Sequence, residues 1–234
     1  MKILKKLLII LLTLSFIYLY CEKDINSILN NLFKESVSYK IEEVPEYSGK
    51  DYVEINNNIP YFNEEDKTTD SFEKYSSLDS LGRVGVAYAN IGKDLMPTAE
   101  RESIGGIKPT GWHTIKYDII PGKYLYNRCH LIGYQLTGEN DNERNLATCT
   151  RQMNTKGMIK WENKVAEYIK ETNNHVLYRV TPIFKDDELL IRGVMIEAES
   201  VEDKGAGIKF NVFVYNVQGR ITINYQTGES KLTD

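Results

Sequence analysis

Tyr126-Asn127-Arg128-Cys129-His130-Leu131-Ile132-Gly133-Tyr134 and Asn145-Leu146-Ala147-Thr148-Cys149-Thr150-Arg151-Gln152-Met153-Asn154 are the stretches that decide the fold. The first ends a run, Lys123–Leu131, that reads as a strand. The second is extended over Asn145–Thr150, with the polar loop Thr137–Arg144 between them. From about Gly157 the period changes. Met158, Trp161, Val165, Tyr168 and Ile169 recur at helical spacing and mark one amphipathic helix, which ends near Asn173-Asn174. Strand, strand and helix follow one another here, and the chemistry-bearing side chains sit on all three.

Around this unit the chain is strand-rich. Val176–Phe184, Leu189–Ala198, Ile208–Val217 and Ile221–Tyr225 alternate as strands, with turns at Asp186-Asp187 and Gln218-Gly219. Upstream, Val53-Glu54-Ile55 is a short strand and Asn56-Asn57-Asn58 a turn. Gly82–Asn90 is a glycine-marked strand, and Trp112–Ile119 a further one before Pro121-Gly122. Ser71–Ser80 reads as loop, and Met96–Gly111, with its prolines and glycines, as an irregular connection. The fold class is α+β: a mainly antiparallel sheet, one prominent helix, and no internal repeat.

His130 is the natural general base, since its charge changes near neutral pH. Arg128, two residues away on the same side of an extended strand, would hold a phosphate oxygen and depress the imidazole pKa, keeping the ring neutral. Asn154 offers one hard oxygen donor. Magnesium needs few protein ligands because it keeps most of its waters. Glu162, eight residues on, shares a helix face with Asn154 if the helix reaches back that far, and would accept hydrogen bonds from metal-bound water. Asn145 reads as a structural brace. His113 and His175 have no comparable company and read as structural. Cys129, His130 and Cys149 are zinc-ligand types, but adjacent strand residues point to opposite faces and no CxxC pair exists, which disfavours zinc.

The 234 residues carry a net charge of −4, which alone argues against a polyanionic partner. Its distribution changes that reading, though the local excess is small and only supportive. Residues 22–100 hold 8 basic and 16 acidic side chains, whereas residues 101–164, around His130, hold 10 basic and 6 acidic. A local basic window is what phosphate contacts require. The N-terminus, Met1-Lys2-Ile3-Leu4-Lys5-Lys6, leads into the apolar run Leu7–Tyr20, as in an export signal or membrane anchor over residues 1–21. Residues 22–46 then read as a polar tether and residues 47–234 as the folded domain. Such a protein would be secreted or extracellular-facing, tethered to the cell membrane only through residues 1–21, with no protein partner inferred. Outside the cytoplasm Cys129 and Cys149 are free to form a disulfide; the alternative is two buried thiols that never meet.

With these residues in place, the chain resembles the DNA/RNA non-specific endonucleases of the ββα-metal type, in the bacterial DNA-entry and secreted DNase branch. The resemblance runs from about Tyr47 to Ser230. It is most specific at Asn127-Arg128-Cys129-His130-Leu131-Ile132-Gly133 and at Asn145-Leu146-x-Thr148-x-Thr150-Arg151-x-x-Asn154. Gly82-Arg83-Val84-Gly85 and the Gly157–Ala166 helix extend it. It implies His130 as general base, Asn154 as ligand to Mg2+ (with Mn2+ as the alternative), and Glu162 as the helix glutamate. Asn145 and Asn154 reproduce the family's pair of asparagines nine residues apart. The upstream phosphate-binding arginine falls on Arg101, and Arg151 joins it as a substrate-binding residue. Cys129 and Cys149 depart from the small residues usual there, and both departures favour the disulfide.

The implied activity is hydrolysis of phosphodiester bonds in DNA, and in RNA as a second substrate, without base-specific contacts. Two other classes compete: a non-catalytic, surface-tethered DNA-binding module serving DNA uptake, and a purely structural surface protein. Tight DNA binding without cleavage in magnesium would mark the first, and no DNA affinity the second.

Overall fold

The computed structural model describes residues 40–233. Strands β1 (Tyr52–Glu54), β2 (Phe72–Tyr75), β3 (Ala87–Ile91), β6 (Val176–Ile183), β7 (Gly193–Ser200) and β8 (Lys209–Tyr215) pair antiparallel. Their order in this six-stranded sheet is β1-β8-β7-β6-β3-β2. The central strand β7 is buried along its whole length, because both sheet faces are covered. On one face lie apolar side chains of the helical segment. On the other runs the chain of residues 56–67. There the Tyr61 amide donates to Glu197 Oε1 at 3.0 Å, Lys67 Nζ reaches Glu199 Oε1 at 3.2 Å, and the Asn211 amide donates to Asn58 Oδ1 at 2.9 Å. Buried Glu197 pairs with Arg179, 2.6 Å away, and an unpaired buried carboxylate would be costly.

β4 (Tyr126–His130) and β5 (Leu146–Thr150) form a separate two-stranded pair, with Arg128 opposite Thr148 and His130 opposite Leu146. A one-turn helix, α1 (Tyr134–Thr137), lies between them. After β5 the chain turns helical, passes through a π-helical stretch at Met153–Met158, and continues as α2 (Ile159–Thr172). Val165, Ala166 and Ile169 of α2 join Met153 and Met158 in the main core with Val176, Val180, Val212 and Val214 of the sheet. Trp161 packs on Phe210 and Tyr52, ring centroids 4.6 and 5.2 Å away. Gly157 is needed for this docking, because a Cβ there would meet the Val214 side chain. The helix ends at Asn173, whose left-handed φ of 60° lets its amide close on the Ile169 carbonyl.

Cys129 and Cys149 are disulfide-bonded, with Cα atoms 5.9 Å apart and both side chains buried in the main core. Of the two readings left open, the structure takes the bridge.

Several elements differ from the sequence reading. Phe72–Tyr75, read as loop, forms the edge strand β2 on β3; its only partly buried side chains leave no apolar alternation to detect. Trp112–Ile119, read as a strand, makes a single bridge, Lys116 opposite Tyr124. Turns at Pro109–Trp112 and Tyr117–Ile120 use the backbone groups a longer ladder would need. A terminal hairpin pairs β9 (Ile221–Ile223) with β10 (Ser230–Leu232), and the latter had no sequence signal. Residues 40–46, the end of the polar segment, make a 3-10 turn at Ile41–Glu43. There Val44 is buried, and the Pro45 carbonyl accepts from Tyr215 Oη at 2.6 Å. The remainder of that segment and residues 1–21, where an export signal or anchor is expected, lie outside the described residues. Among the described residues no helix is long and apolar enough to cross a membrane.

Candidate active site

β4 delivers His130 into a cleft of about 210 Å³, which Arg101, Arg128, Asn154 and Glu162 also line. The imidazole is buried, at 6% exposure. Its Nε2 lies 2.7 Å from the Asn140 carbonyl oxygen, and Nδ1 lies 3.3 Å from Arg101 Nη2. A carbonyl only accepts and a guanidinium only donates. Together these contacts assign the proton to Nε2 and leave the Nδ1 lone pair facing the arginine. Burial lowers the His130 pKa most. The Asn140 hydrogen bond opposes this, and the Arg101 charge lowers it further. The ring is thus held neutral and able to take a proton.

The cation acting on His130 is Arg101, not Arg128, which corrects the expectation drawn from strand spacing. Arg128 directs its donors at the neighbouring loop: Nη2 to the Gly105 carbonyl at 2.8 Å and Nε to the Ile107 carbonyl. Its guanidinium lies 4.0 Å from the Trp112 ring centroid. Tyr134 Oη donates to the Ala99 carbonyl at 2.9 Å. The irregular segment Met96–Gly111 is therefore pinned on both sides of Arg101, which explains how a loop residue reaches a buried imidazole.

The helical segment reaches back far enough to place Asn154 and Glu162 on the same cleft. Asn154 lies in the π-helical stretch, a distortion frequent at functional sites. Its side-chain amide makes no hydrogen bond among the described residues, so the oxygen is available. Glu162 is buried, and burial pushes its carboxyl up to about 7 against the lowering effects of Gln135 and Arg101. The carboxylate packs against Gly133, where a Cβ would sit 2.5 Å from Oε2.

The other expected residues lie outside the cleft lining. Asn145 exchanges two hydrogen bonds with the Ile132 main chain, at 2.9 and 3.0 Å, fixing the turn after β4. Arg151 has its guanidinium beside Gly122. Sequence reasoning missed Gly133 and Tyr134 as site residues, although both stand in the opening motif. It missed Thr155 and Ile159, which line the cleft, because nothing marks them chemically. Asn140 contributes through its main chain and so carries no residue-type signal. A larger cavity of about 270 Å³ lies along residues 106–110, where Lys108 and Glu143 face apolar side chains. It has no imidazole or free amide, so the chemistry belongs to the smaller cleft.

Among the described residues no group of three His, Cys, Asp or Glu side chains could hold a metal ion. One unpartnered amide oxygen, with a carboxyl behind it, instead fits a hard cation that retains most of its waters.

A buried imidazole, a guanidinium and a free amide oxygen thus line one small cleft, a set of groups suited to an anionic substrate. The chain belongs to the DNA/RNA non-specific endonuclease family, whose profile matches residues 62–202, more than half of its length. It is similar to NucA from Streptococcus agalactiae in two crystal structures, at 26% identity in each. The magnesium-bound form has a TM-score of 0.67, over 77% of this chain and 86% of that one; the metal-free form has 0.72, over 88% and 96%. The Sda1 nuclease with bound zinc is likewise 26% identical, with a TM-score of 0.64 over 81% of this chain and 98% of that one. The protein is an endonuclease of this family acting on nucleic acid.

Proposed function

We propose that this protein is an exported, metal-dependent endonuclease that hydrolyses phosphodiester bonds in DNA and RNA without sequence preference, with His130 as general base. The observation that carries the reading is the convergence of the His130 Nδ1 lone pair, Arg101 and the unpartnered Asn154 amide in one cleft. Asn154 would hold a magnesium or manganese ion, and Glu162 behind it would orient the ion's water ligands. The bound ion supplies positive charge to the phosphate and to the leaving 3′-oxygen. NucA holds magnesium and Sda1 zinc in solved structures, which supports a divalent cation.

Arg101 Nη2 donates to Nδ1 at 3.3 Å. A substrate phosphate offers the guanidinium a stronger, charged acceptor. Arg101 then turns to the phosphate and uncovers the lone pair, which removes a proton from the attacking water. The hydrogen bond from Nε2 to Asn140 keeps the ring in that orientation as it gains charge. The basic and apolar residues 1–21 support export and tethering at the membrane.

Incubation of the protein with circular DNA and with RNA, with and without EDTA, tests this. His130→Ala should lower cleavage by at least about 100-fold with unchanged circular dichroism. Retained cleavage would refute the role assigned to His130.

A further inference from the structure

The connection from Ile115 to Leu125 has two unlike faces. Ile115, Tyr117, Ile120 and Leu125 point into a small apolar core. Lys116 and Tyr124 are directly opposed across the isolated bridge and so share the other face, with Lys116 Nζ 4.6 Å from the Tyr124 ring centroid. Tyr124 is 46% exposed and neighbouring Ile119 is 43% exposed.

Arg151 links this connection to the edge of the cleft. Thr155 lines the cleft and donates to the Arg151 carbonyl at 2.8 Å. The Arg151 amide donates to the Leu125 carbonyl at 2.8 Å, and a Cβ on Gly122 would sit 3.4 Å from the Arg151 guanidinium carbon. The Arg151 side chain has no ionic or hydrogen-bond partner among the described residues. Among the described residues Lys123 pairs only with Asp118, and both side chains are largely exposed, at 64% and 90%. Such a pair contributes little and yields readily to phosphate. Three cations and one half-exposed aromatic ring, approached by Lys116 on one side, therefore lie along this connection.

Resting on the nuclease reading above, we propose that Arg151, Lys123, Lys116 and Tyr124 form a track for a single-stranded segment flanking the cleaved phosphate, with a base stacked on Tyr124. Backbone cations beside an aromatic platform are what an unpaired strand requires, whereas the stacked bases of a duplex offer no face to Tyr124. The cations hold the phosphates, and the ring selects unstacked bases.

The test uses His130→Ala protein, so that binding is read without cleavage. Fluorescence anisotropy is followed with a labelled single-stranded DNA of about 15 nucleotides and with a duplex of equal length. Adding Tyr124→Ala should weaken single-strand binding by at least about fivefold and duplex binding by less than about twofold, while Tyr124→Trp restores single-strand affinity. Lys116→Gln with Lys123→Gln should reduce the slope of log affinity against log salt by about 0.7 per lysine. Single-strand affinity unchanged by Tyr124→Ala, or equal losses for the two ligands, overturns the proposal. Failure of the wild-type protein to cut DNA, with these binding effects intact, would overturn the nuclease reading and leave this one standing.

Discussion

Removing the Cys129–Cys149 bridge should destabilise the domain by an amount its connectivity sets. The bond closes a loop of 20 residues. In the chain-entropy picture, opening such a loop frees the unfolded chain by about 3 kcal/mol. Both sulfurs lie in the main core, at 1% and 0% exposure, so each alanine adds a small cavity costing about 1 kcal/mol. Cys149→Ala alone should then lose about 4 kcal/mol, and so should Cys129→Ala. The double variant should lose about 5 rather than 8, giving a coupling of about 3 kcal/mol. For a domain of this size, the bond's share corresponds to a fall in Tm of about 6–12 °C. Urea unfolding followed by circular dichroism measures all three variants, and unfolding of the wild-type protein in reductant gives the bond term without a cavity. Strict additivity of the two single losses, or a Tm within about 2 °C of wild type after reduction, would refute the reasoning.

Other outcomes follow from the site. Because burial and Arg101 both lower the His130 pKa, the acid limb of kcat/KM should lie below the ordinary value of 6.5; Arg101→Gln removes one lowering charge and should move that limb to higher pH, whatever it does to the rate. Gly133→Ala forces the Glu162 carboxylate to shift, so activity should fall about 10- to 100-fold with the fold retained; full activity on a plasmid substrate would show that the placement of Glu162 is immaterial. Asn154→Ala should raise the magnesium concentration giving half-maximal cleavage by at least about tenfold, and an unchanged magnesium titration would remove Asn154 from the metal site.

What the sequence disclosed depended on periodicity and on side-chain chemistry. The long strand Val176–Ile183 shows as an apolar, mostly buried run, and the helix Ile159–Thr172 buries one face and so shows its period. The edge strand Phe72–Tyr75 buries too little to do so. Spacing along one strand put Arg128 beside His130, and both do line the cleft. Spacing cannot, however, show where a long side chain ends. The guanidinium found loop carbonyls that are 21 and 23 residues distant in sequence. The orientation of His130 depends on the main-chain oxygen of Asn140, which any residue could supply. The disulfide stayed open because a cysteine count holds no register. Only the pairing of Cys129 with Ala147 places Cys149 diagonally across from it.

A two-stranded pair is marginal by itself, yet β4 and β5 must hold His130 and the start of the helical segment that carries Asn154 in fixed relation. Their rigidity comes from side chains rather than from a wider ladder. The disulfide joins the two strands beneath His130. Asn145 locks the turn after β4 to the start of β5. Asn216, which follows β8, accepts from the Thr150 amide at 2.8 Å and donates to the Ile191 carbonyl at 2.9 Å, while Thr150 Oγ1 donates to the Val217 carbonyl at 2.6 Å. These last bonds fasten β5 to the chain that follows the large sheet, three residues before Met153 opens the π-helical stretch. Apart from the partly buried Thr150–Val217 bond these ties are buried, so water cannot readily replace a lost partner, and a single removal leaves donors or acceptors unsatisfied. Bracing by a few buried polar groups therefore makes the geometry of the site more sensitive to Asn145 and Asn216 than to most apolar positions of the core.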